Sequence, residues 1–326
     1  MDVFFYEAFE EEEKAIKRYL PADIQAGFSV KTIQECDHAM PMAPIISVRT
    51  QSLIPTAWAH KLSGILTRST GYDHLVVYLK ECGHAVPCGY LPLYCNRAVA
   101  EQAMLLWMAL LRKLRQQVQN FSTFYRDAIT GRECQGTTLL VVGVGNIGSE
   151  VVKIGQGLGM NVLGVDIVRK HPFVTYVSLN EGLAKADVIV CAMNLTQENI
   201  GYFRYDRLRQ AKRGALYINI ARGEFSPSQD LVRLLDEGHL GGVGLDVYNQ
   251  ESRLAVTLRA GKSVNDEEVN ATLSLLKRFN AILTPHNAFN TIESVDRKSA
   301  HSVQQVQHFL KNGSFLWPLP VFLLRS

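Results

Sequence analysis

The stretch "LLVVGVGNIGSEVVKIGQGL" limits what this chain can fold into more than any other. An apolar run, residues 139–144, feeds a turn that carries Gly143, Gly145 and Gly148 in G-x-G-x-x-G spacing, and a helical pattern follows at once. Asp166 ends the next apolar run, 18 residues after Gly148. In such a turn the first glycine permits the tight bend, the second lets the backbone approach a pyrophosphate, and the third lets helix and strand pack closely. The helix N-terminus then offers free N–H groups and a positive dipole end to phosphates. Asp166 is placed to accept hydrogen bonds from both ribose hydroxyls and to repel a 2′-phosphate. That predicts NAD rather than NADP, a preference Arg169 softens without reversing. A tight turn with no ligand is the plain alternative. The strand before the turn, the helix after it and the acid beyond weigh against it.

The alternation continues downstream. Candidate strands lie at 161–166, 187–192, 215–220, 242–247 and 281–284, with helical stretches between them such as "SQDLVRLLDEG". The first hundred residues alternate too. "VFFYEA", "PIISVRT" and "GILTRS" read as strands, "EEEEKAIKRYL" and "YDHLVVYLKEC" as helices. One long helix is expected over Arg97–Phe121. Regular alternation of this kind predicts parallel α/β sheets. After Thr291 there is one more helix, "SVDRKSAHSVQQVQHFLKNG", and an apolar tail, "SFLWPLPVFLL", which together are too little for a third domain. The expected fold is therefore α/β with two domains: a Rossmann-like doubly wound parallel sheet inserted into a smaller flavodoxin-like α/β catalytic domain. The expected boundaries are 1–97 for the first part of the catalytic domain, 98–288 for the nucleotide-binding domain, and 289–326 for the returning helix and tail.

Composition removes several function classes. A chain of 326 residues can bury two cores. A net charge of +3 at this length gives no electrostatic case for nucleic acid or an anionic membrane. The apolar run "AMLLWMALL" is too short to span a bilayer. The acidic start "MDVFFYEAFEEEE" lacks the features of a secretory signal. The 6 cysteines form no C-x-x-C pair, so they read as reduced thiols rather than disulfides or a zinc site. No metal is expected, and a cytoplasmic enzyme is the default.

Ligands of open parallel sheets gather at the carboxyl ends of strands. Three such ends carry unusual polar residues. "ALYINIARGE" delivers Arg222, "GVGLDVYNQE" delivers Asp246 and Glu251, and "AILTPHNAF" delivers His286. Each alone could be a surface charge, a solvated loop acid or a core histidine. Together they make a chemical kit at the edge that also bears the glycine turn. A carboxylate beside an imidazole favours the imidazolium, which suits a general acid for a developing alkoxide. A guanidinium grips a carboxylate with two parallel hydrogen bonds and polarises the neighbouring carbonyl. Hydride transfer between a nicotinamide and a 2-oxo acid needs these parts and no metal.

With these motifs the sequence resembles the D-isomer-specific 2-hydroxyacid dehydrogenases, and within them the D-lactate dehydrogenase branch. The segments that carry the resemblance are "VVGVGNIG", "INIARGE", "GLDVYNQE" and "LTPHNAF", with "TRSTGYDHL" and "GYLPLYCNRAVAE" earlier in the chain. It spans roughly residues 64 to 291. The resemblance implies Arg222 as the carboxylate-binding and carbonyl-polarising residue, His286 as acid–base catalyst and Glu251 as its partner. It implies that the Thr70 and Gly71 N–H groups receive the substrate carboxylate, and that Tyr94 and Phe289 wall the pocket. On the cofactor side it implies Asn146 and Ile147 on the pyrophosphate turn and Asp166 at the adenosine ribose. Met193, Asn194 and Asn199 would lie in the loop over the adenosine half, with Ile220 and Ala221 backbone groups and Asp246 at the nicotinamide end. It also implies a homodimer built on the cofactor domain, to which "AMLLWMALL" is expected to contribute.

The sequence departs from the family at two points. Tyr94-Cys95-Asn96 stands where Tyr-Ser-Pro is usual, and Asn290 stands where the lactate branch has an aromatic. The segment 252–280 matches the longer insertion of the lactate branch in length. No added basic cluster is evident near the implied pocket, so a short apolar 2-oxo acid is expected, with pyruvate and D-lactate first. A dicarboxylate such as oxaloacetate should be rejected, while 2-oxobutyrate, hydroxypyruvate and glyoxylate stay open. Two other functions are weighed: a dehydrogenase for another D-2-hydroxy acid such as glycerate, and a non-enzymatic NAD(H)-sensing scaffold resembling the transcriptional co-repressors of this fold. The chain has no long Pro- or Ser-rich extension to serve regulation, which favours the enzyme.

Overall fold

Apolar runs bounded by turns become strands throughout the computed structural model, which describes residues 1–261 and 265–320. The chain divides into two units, residues 96–289 and a second formed by residues 1–95 with the chain from Asn290 onward.

The first unit holds strands β1 (Val3–Phe5), β2 (Ala26–Phe28), β3 (Ile45–Val48), β4 (Gly64–Thr67) and β5 (Cys88–Gly89). They form one sheet in the order β2-β1-β3-β4-β5, and every pairing is parallel. Chain order reverses between β1 and β3, so the crevice outside their carboxyl ends is a switch point of the kind where such sheets bind ligands. Phe4, Tyr6, Ile46, Val48, Ile65 and Leu75 are buried in its core. Helix Glu10–Tyr19 carries Glu10 to Glu13 in its first turn, the end where the helix dipole favours acids. It packs on helix Ile292–Asn312, which starts on a Thr291 cap and stops at Gly313 with φ 69°. Pro318 bridges antiparallel to Gly89, and Phe315 and Leu319 are buried, so this much of the apolar tail covers a core. The rest of the tail, from Val321, lies outside the described residues.

The second unit holds β6 (Thr138–Val142), β7 (Asn161–Val165), β8 (Thr175–Tyr176), β9 (Val188–Cys191), β10 (Ala215–Asn219), β11 (Leu240–Leu245) and β12 (Ala281–Leu283). The order is β12-β11-β10-β9-β6-β7-β8, again all parallel. This is the doubly wound arrangement, with the switch point between β6 and β9. In the segment 252–280, Lys262 to Val264 lie outside the described residues.

Two expectations need correction. The helix expected over Arg97–Phe121 is two helices, Asn96–Leu111 and Leu114–Asn120, broken at Lys113 with φ 51°. The second is tied down by Arg115, whose guanidinium donates to the Leu276, Arg278 and Ala281 carbonyls at 2.6, 2.7 and 3.1 Å. The strand expected at 242–247 starts at Leu240 and ends at Leu245, which leaves Asp246 as the first residue beyond it. Three strands have no apolar run to announce them: β2, β5 and β8. Each lies at a sheet edge, where two or three paired residues suffice. No helix among the described residues is long and apolar enough to cross a membrane. Among those residues no group of three or more His, Cys, Asp or Glu could hold a metal ion.

Candidate active site

The glycine turn leaves β6 and enters helix Asn146–Gly157. Gly143 has φ 91°, and a Cβ there would lie 2.6 Å from the Met193 nitrogen in the loop after β9. A Cβ at Gly148 would lie 1.9 Å from the Gly143 carbonyl oxygen, so helix and turn can meet only without one. At Gly145 the opposite holds: a Cβ would meet nothing within 4 Å, so this backbone faces open space. No side chain caps the helix, which leaves the first-turn N–H groups of Asn146 and Ile147 available. Open backbone beside an uncapped helix N-terminus fits a dinucleotide pyrophosphate. Asp166 follows β7. Its Oδ2 accepts the Val144 N–H of the turn at 2.6 Å and its Oδ1 accepts the Val168 N–H at 2.9 Å. The carboxylate thus ties the glycine turn to the end of β7 and keeps lone pairs for further donors. Beyond β9, the Asn199 side chain accepts from Thr196 N–H and donates to the Asn194 carbonyl at 2.7 and 2.9 Å, folding the loop that follows Met193 back on itself.

At the carboxyl ends of β11 and β12 the structure brings Glu251 and His286 together. His286 Nδ1 lies 2.7 Å from Glu251 Oε1. Their side chains are 26% and 22% exposed, so the pair is sheltered yet reachable. Both are held by left-handed backbone. Gln250 at φ 54° turns the chain into helix Glu251–Ala260, and His286 itself has φ 50°, with its N–H donating to the Thr284 carbonyl at 2.9 Å. A non-glycine residue in this region is strained and needs its surroundings to hold it.

Asp246 supplies that hold. Its Oδ1 accepts the Thr284 hydroxyl at 2.6 Å and the Asn287 N–H at 2.9 Å, and its Oδ2 accepts the Ala288 N–H at 2.9 Å. The three donors flank His286 on both sides. Burial raises the Asp246 carboxyl above its usual range, and these hydrogen bonds oppose the rise. Tyr248 adds a second tie, its hydroxyl donating to the Thr284 and Leu245 carbonyls at 2.7 and 3.0 Å.

Arg222 follows β10 on a loop shaped by Asn219. The Asn219 amide donates to the Arg222 carbonyl at 2.8 Å and accepts the Ala221 N–H at 3.1 Å. The Ile220 N–H goes to the Cys191 carbonyl at 3.4 Å, so a ligand role for Ile220 and Ala221 falls to their carbonyls. One of those, on Ala221, already accepts from Arg222 NH1 at 2.8 Å. Next in the chain, a Cβ on Gly223 would lie 1.8 Å from the Tyr248 backbone, so the loops after β10 and β11 meet only across a glycine. Sequence reasoning missed Asn219, Tyr248 and Gly223. Asn219 did leave a signal: a polar residue inside the apolar run "ALYINI" that is fully buried.

In the first unit, Thr70 and Gly71 follow β4. Their N–H groups make no hydrogen bond among the described residues, while the Thr70 hydroxyl donates to the Leu91 carbonyl at 3.1 Å. Tyr94, in the first unit, and Phe289, in the second, are both buried. The Tyr94 carbonyl accepts from Arg297 Nε at 2.9 Å and the Ser294 hydroxyl at 3.2 Å, and burial drives its phenol far above the usual range.

A doubly wound sheet with an uncapped glycine turn, an acid after its second strand and an arginine, glutamate and histidine at its carboxyl edge defines a nucleotide-dependent oxidoreductase. Residues 103–288 match the family model for the D-isomer specific 2-hydroxyacid dehydrogenase, NAD binding domain, and the chain belongs to that family of NAD-dependent enzymes. It is 33% identical to a D-lactate dehydrogenase of Streptococcus agalactiae over 240 residues, 71% of each chain. It is 29% identical to the 2-hydroxyacid dehydrogenase A of Aspergillus oryzae over 264 residues, 79% of this chain and 75% of that one. Among solved structures it is similar to the D-lactate dehydrogenase from Aquifex aeolicus, complexed with NAD and lactic acid. The TM-score there is 0.83, with 29% identity, over 97% of this chain and 99% of that one.

Proposed function

We propose that this enzyme reduces a short 2-oxo acid to the D-2-hydroxy acid with NADH, and that pyruvate and D-lactate are the first pair to test. The observation that carries this reading is the 2.7 Å contact between His286 Nδ1 and Glu251 Oε1 at the carboxyl edge of a nucleotide-binding sheet. The D-lactate dehydrogenases among the relatives support the choice of first substrate.

Bound NADH supplies the hydride that adds to the carbonyl carbon. The protein does the rest. Glu251 engages Nδ1, which leaves Nε2 of His286 as the atom that gives a proton to the carbonyl oxygen and takes one back in the reverse direction. The Arg222 guanidinium holds the substrate carboxylate and draws charge toward the neighbouring carbonyl oxygen. Thr70 and Gly71, in the first unit, offer backbone N–H groups suited to a carboxylate. Asp246 acts through the backbone on either side of His286, keeping the imidazole in its strained position. On the cofactor side, Gly143, Gly145, Asn146, Ile147 and Gly148 take the pyrophosphate. The Asp166 carboxylate favours NADH over NADPH because it would repel a 2′-phosphate.

We also infer a homodimer in a reducing, cytoplasmic setting, which the six unpaired cysteines support. The run "AMLLWMALL" is mostly buried within its own unit, with Leu105 the exposed exception. The exposed apolar stripe lies further on, at Leu114, Val118, Phe121, Phe124 and Tyr125. Spacing of four and three residues puts Leu114, Val118 and Phe121 on one side of a helical path, and Phe124, at φ 53°, lies just beyond its end. A patch of this kind is where a second copy would seat.

A panel of 2-oxo acids with NADH, followed by loss of reduced-cofactor absorbance, tests the reading. Turnover of at least one short 2-oxo acid to the D product is expected. A flat panel with NADH still bound would contradict it and favour the scaffold.

A further inference from the structure

Thr284, Pro285 and His286 make the turn that carries the strained histidine. The His286 N–H closes it on the Thr284 carbonyl at 2.9 Å. Proline suits the centre of such a turn, because its ring holds φ close to what a three-residue turn needs. So small a ring cannot bring N–H and C=O into line, and a bent hydrogen bond is weak. The Thr284 carbonyl therefore needs a second partner if His286 is to stay at φ 50°.

Tyr248, in the loop after β11, supplies it. Its ring is buried, and its hydroxyl lies 2.7 Å from the Thr284 carbonyl. The Leu245 carbonyl is also in reach at 3.0 Å, but it already accepts the Thr284 N–H at 2.9 Å. The hydroxyl hydrogen thus matters most at Thr284, whose carbonyl has no donor besides Tyr248 and His286 among the described residues. The rest of Thr284 is fixed independently. Its hydroxyl donates to Asp246 Oδ1 at 2.6 Å and accepts from the Gln102 amide at 3.3 Å. Burial, with the charges of Asp246 and Glu251 nearby, drives the Tyr248 phenol far above its usual range, so the hydroxyl stays a donor. The residue is seated from the other side as well. A Cβ on Gly223 would lie 1.8 Å from the Tyr248 carbonyl carbon, so the loop that leaves Arg222 presses directly on the Tyr248 backbone. All of these residues belong to the second unit.

We propose that Tyr248 is a positioning residue of this enzyme: through the Thr284 carbonyl, its hydroxyl sets the turn that holds the His286 imidazole against Glu251. This rests on the reading of the chain as a 2-oxo acid reductase and deepens it. Around His286 stand Glu251 at Nδ1, Asp246, whose charge reaches the imidazole, and Tyr248. The hydroxyl carries no charge and touches no side-chain atom of the pair in the hydrogen bonds it makes, so it acts on the proton only through the backbone.

The test is Tyr248→Phe in the full-length enzyme, which keeps the ring and removes only the donor. The measurement is kcat against pH with saturating NADH and pyruvate, or the best acceptor of the 2-oxo acid panel, beside NADH affinity by fluorescence. A slightly misplaced acid–base group should lower kcat on the order of 10-fold. NADH affinity should stay unchanged. The descending limb should move to lower pH, by less than in Glu251→Gln, because an imidazole that slips from its carboxylate gives up its proton more readily. A merely structural hydroxyl would lower the whole profile without moving it. An unmoved limb or an unchanged kcat would overturn the proposal and leave the reductase reading intact. A variant that no longer folds or binds NADH would overturn it too, since the hydroxyl would then serve the fold. A wild type that turns over no 2-oxo acid would overturn both.

Discussion

Two parallel sheets in this chain each present polar residues at their carboxyl edges, and they do so in opposite ways. At the edge of the seven-stranded sheet, His286 and Glu251 keep 26% and 22% of their side chains exposed, and the strain of a left-handed histidine is borne by neutral donors converging on Asp246. At the edge of the five-stranded sheet, Glu12, Arg68 and Lys298 are sealed at 0%, and both cations meet the Glu12 carboxylate at 2.8 and 2.9 Å. An acid–base group must stay reachable, so its scaffold is built from hydrogen bonds that leave the reacting atom open. A sealed ionic cluster cannot move protons at turnover rates. What it can do is hold the fold.

The largest effect should come from removing the reachable group. His286→Gln is expected to lower kcat by ~100- to 10,000-fold. NADH binding and stability should change little, because the cofactor turn and the buried clusters are untouched. Turnover assays beside NADH fluorescence titration would check this. A loss of NADH binding equal to the loss of turnover would break the contrast.

The sealed cluster should respond in the other currency. Glu12→Gln leaves Arg68 and Lys298 without their shared carboxylate, and removing one partner of a buried pair costs roughly 3–5 kcal/mol of stability. Urea denaturation reads it directly. The pH dependence has a definite sign. Burial alone would raise the Glu12 carboxyl, yet the Arg68, Lys298 and Arg49 charges hold it down to about 2, against 4.5 when unperturbed. A carboxyl lowered in the folded chain contributes stability above its unfolded value and loses it as pH falls. The wild type should therefore weaken between pH 4.5 and 2 by more than Glu12→Gln does. Identical acid profiles would mean the cluster is not the stabilising device described.

The same contrast explains what could be read from the sequence. The glycine turn, Asp166, Arg222, Glu251 and His286 sit in short local motifs, each at a strand end, so their edge was legible from patterning and spacing. The ionic cluster draws on positions 12, 49, 68 and 298, which no local pattern connects, and its members look like ordinary surface charges on helices and loops. Asp246 was legible as a site residue. Its work on the backbone at Asn287 and Ala288 depends on the parallel pairing of β11 with β12, which only the folded chain reveals. The edge strands β2, β5 and β8 escaped for a related reason: a pairing of two or three residues is decided by the neighbouring strand and not by its own composition. The break at Lys113 escaped because Arg115 finds its three carbonyl partners more than 160 residues away.

If the Glu251–His286 pair moves the proton, the milder variant Glu251→Gln reveals it most directly. An imidazolium that loses its neighbouring carboxylate gives up its proton more readily, so the acid needed for 2-oxo acid reduction disappears at a lower pH. The measurement is kcat against pH for 2-oxo acid reduction by NADH, in the wild type and in Glu251→Gln. A descending limb moved to lower pH in the variant is the predicted result. A profile scaled down but unmoved would contradict the pairing as the source of the catalytic proton.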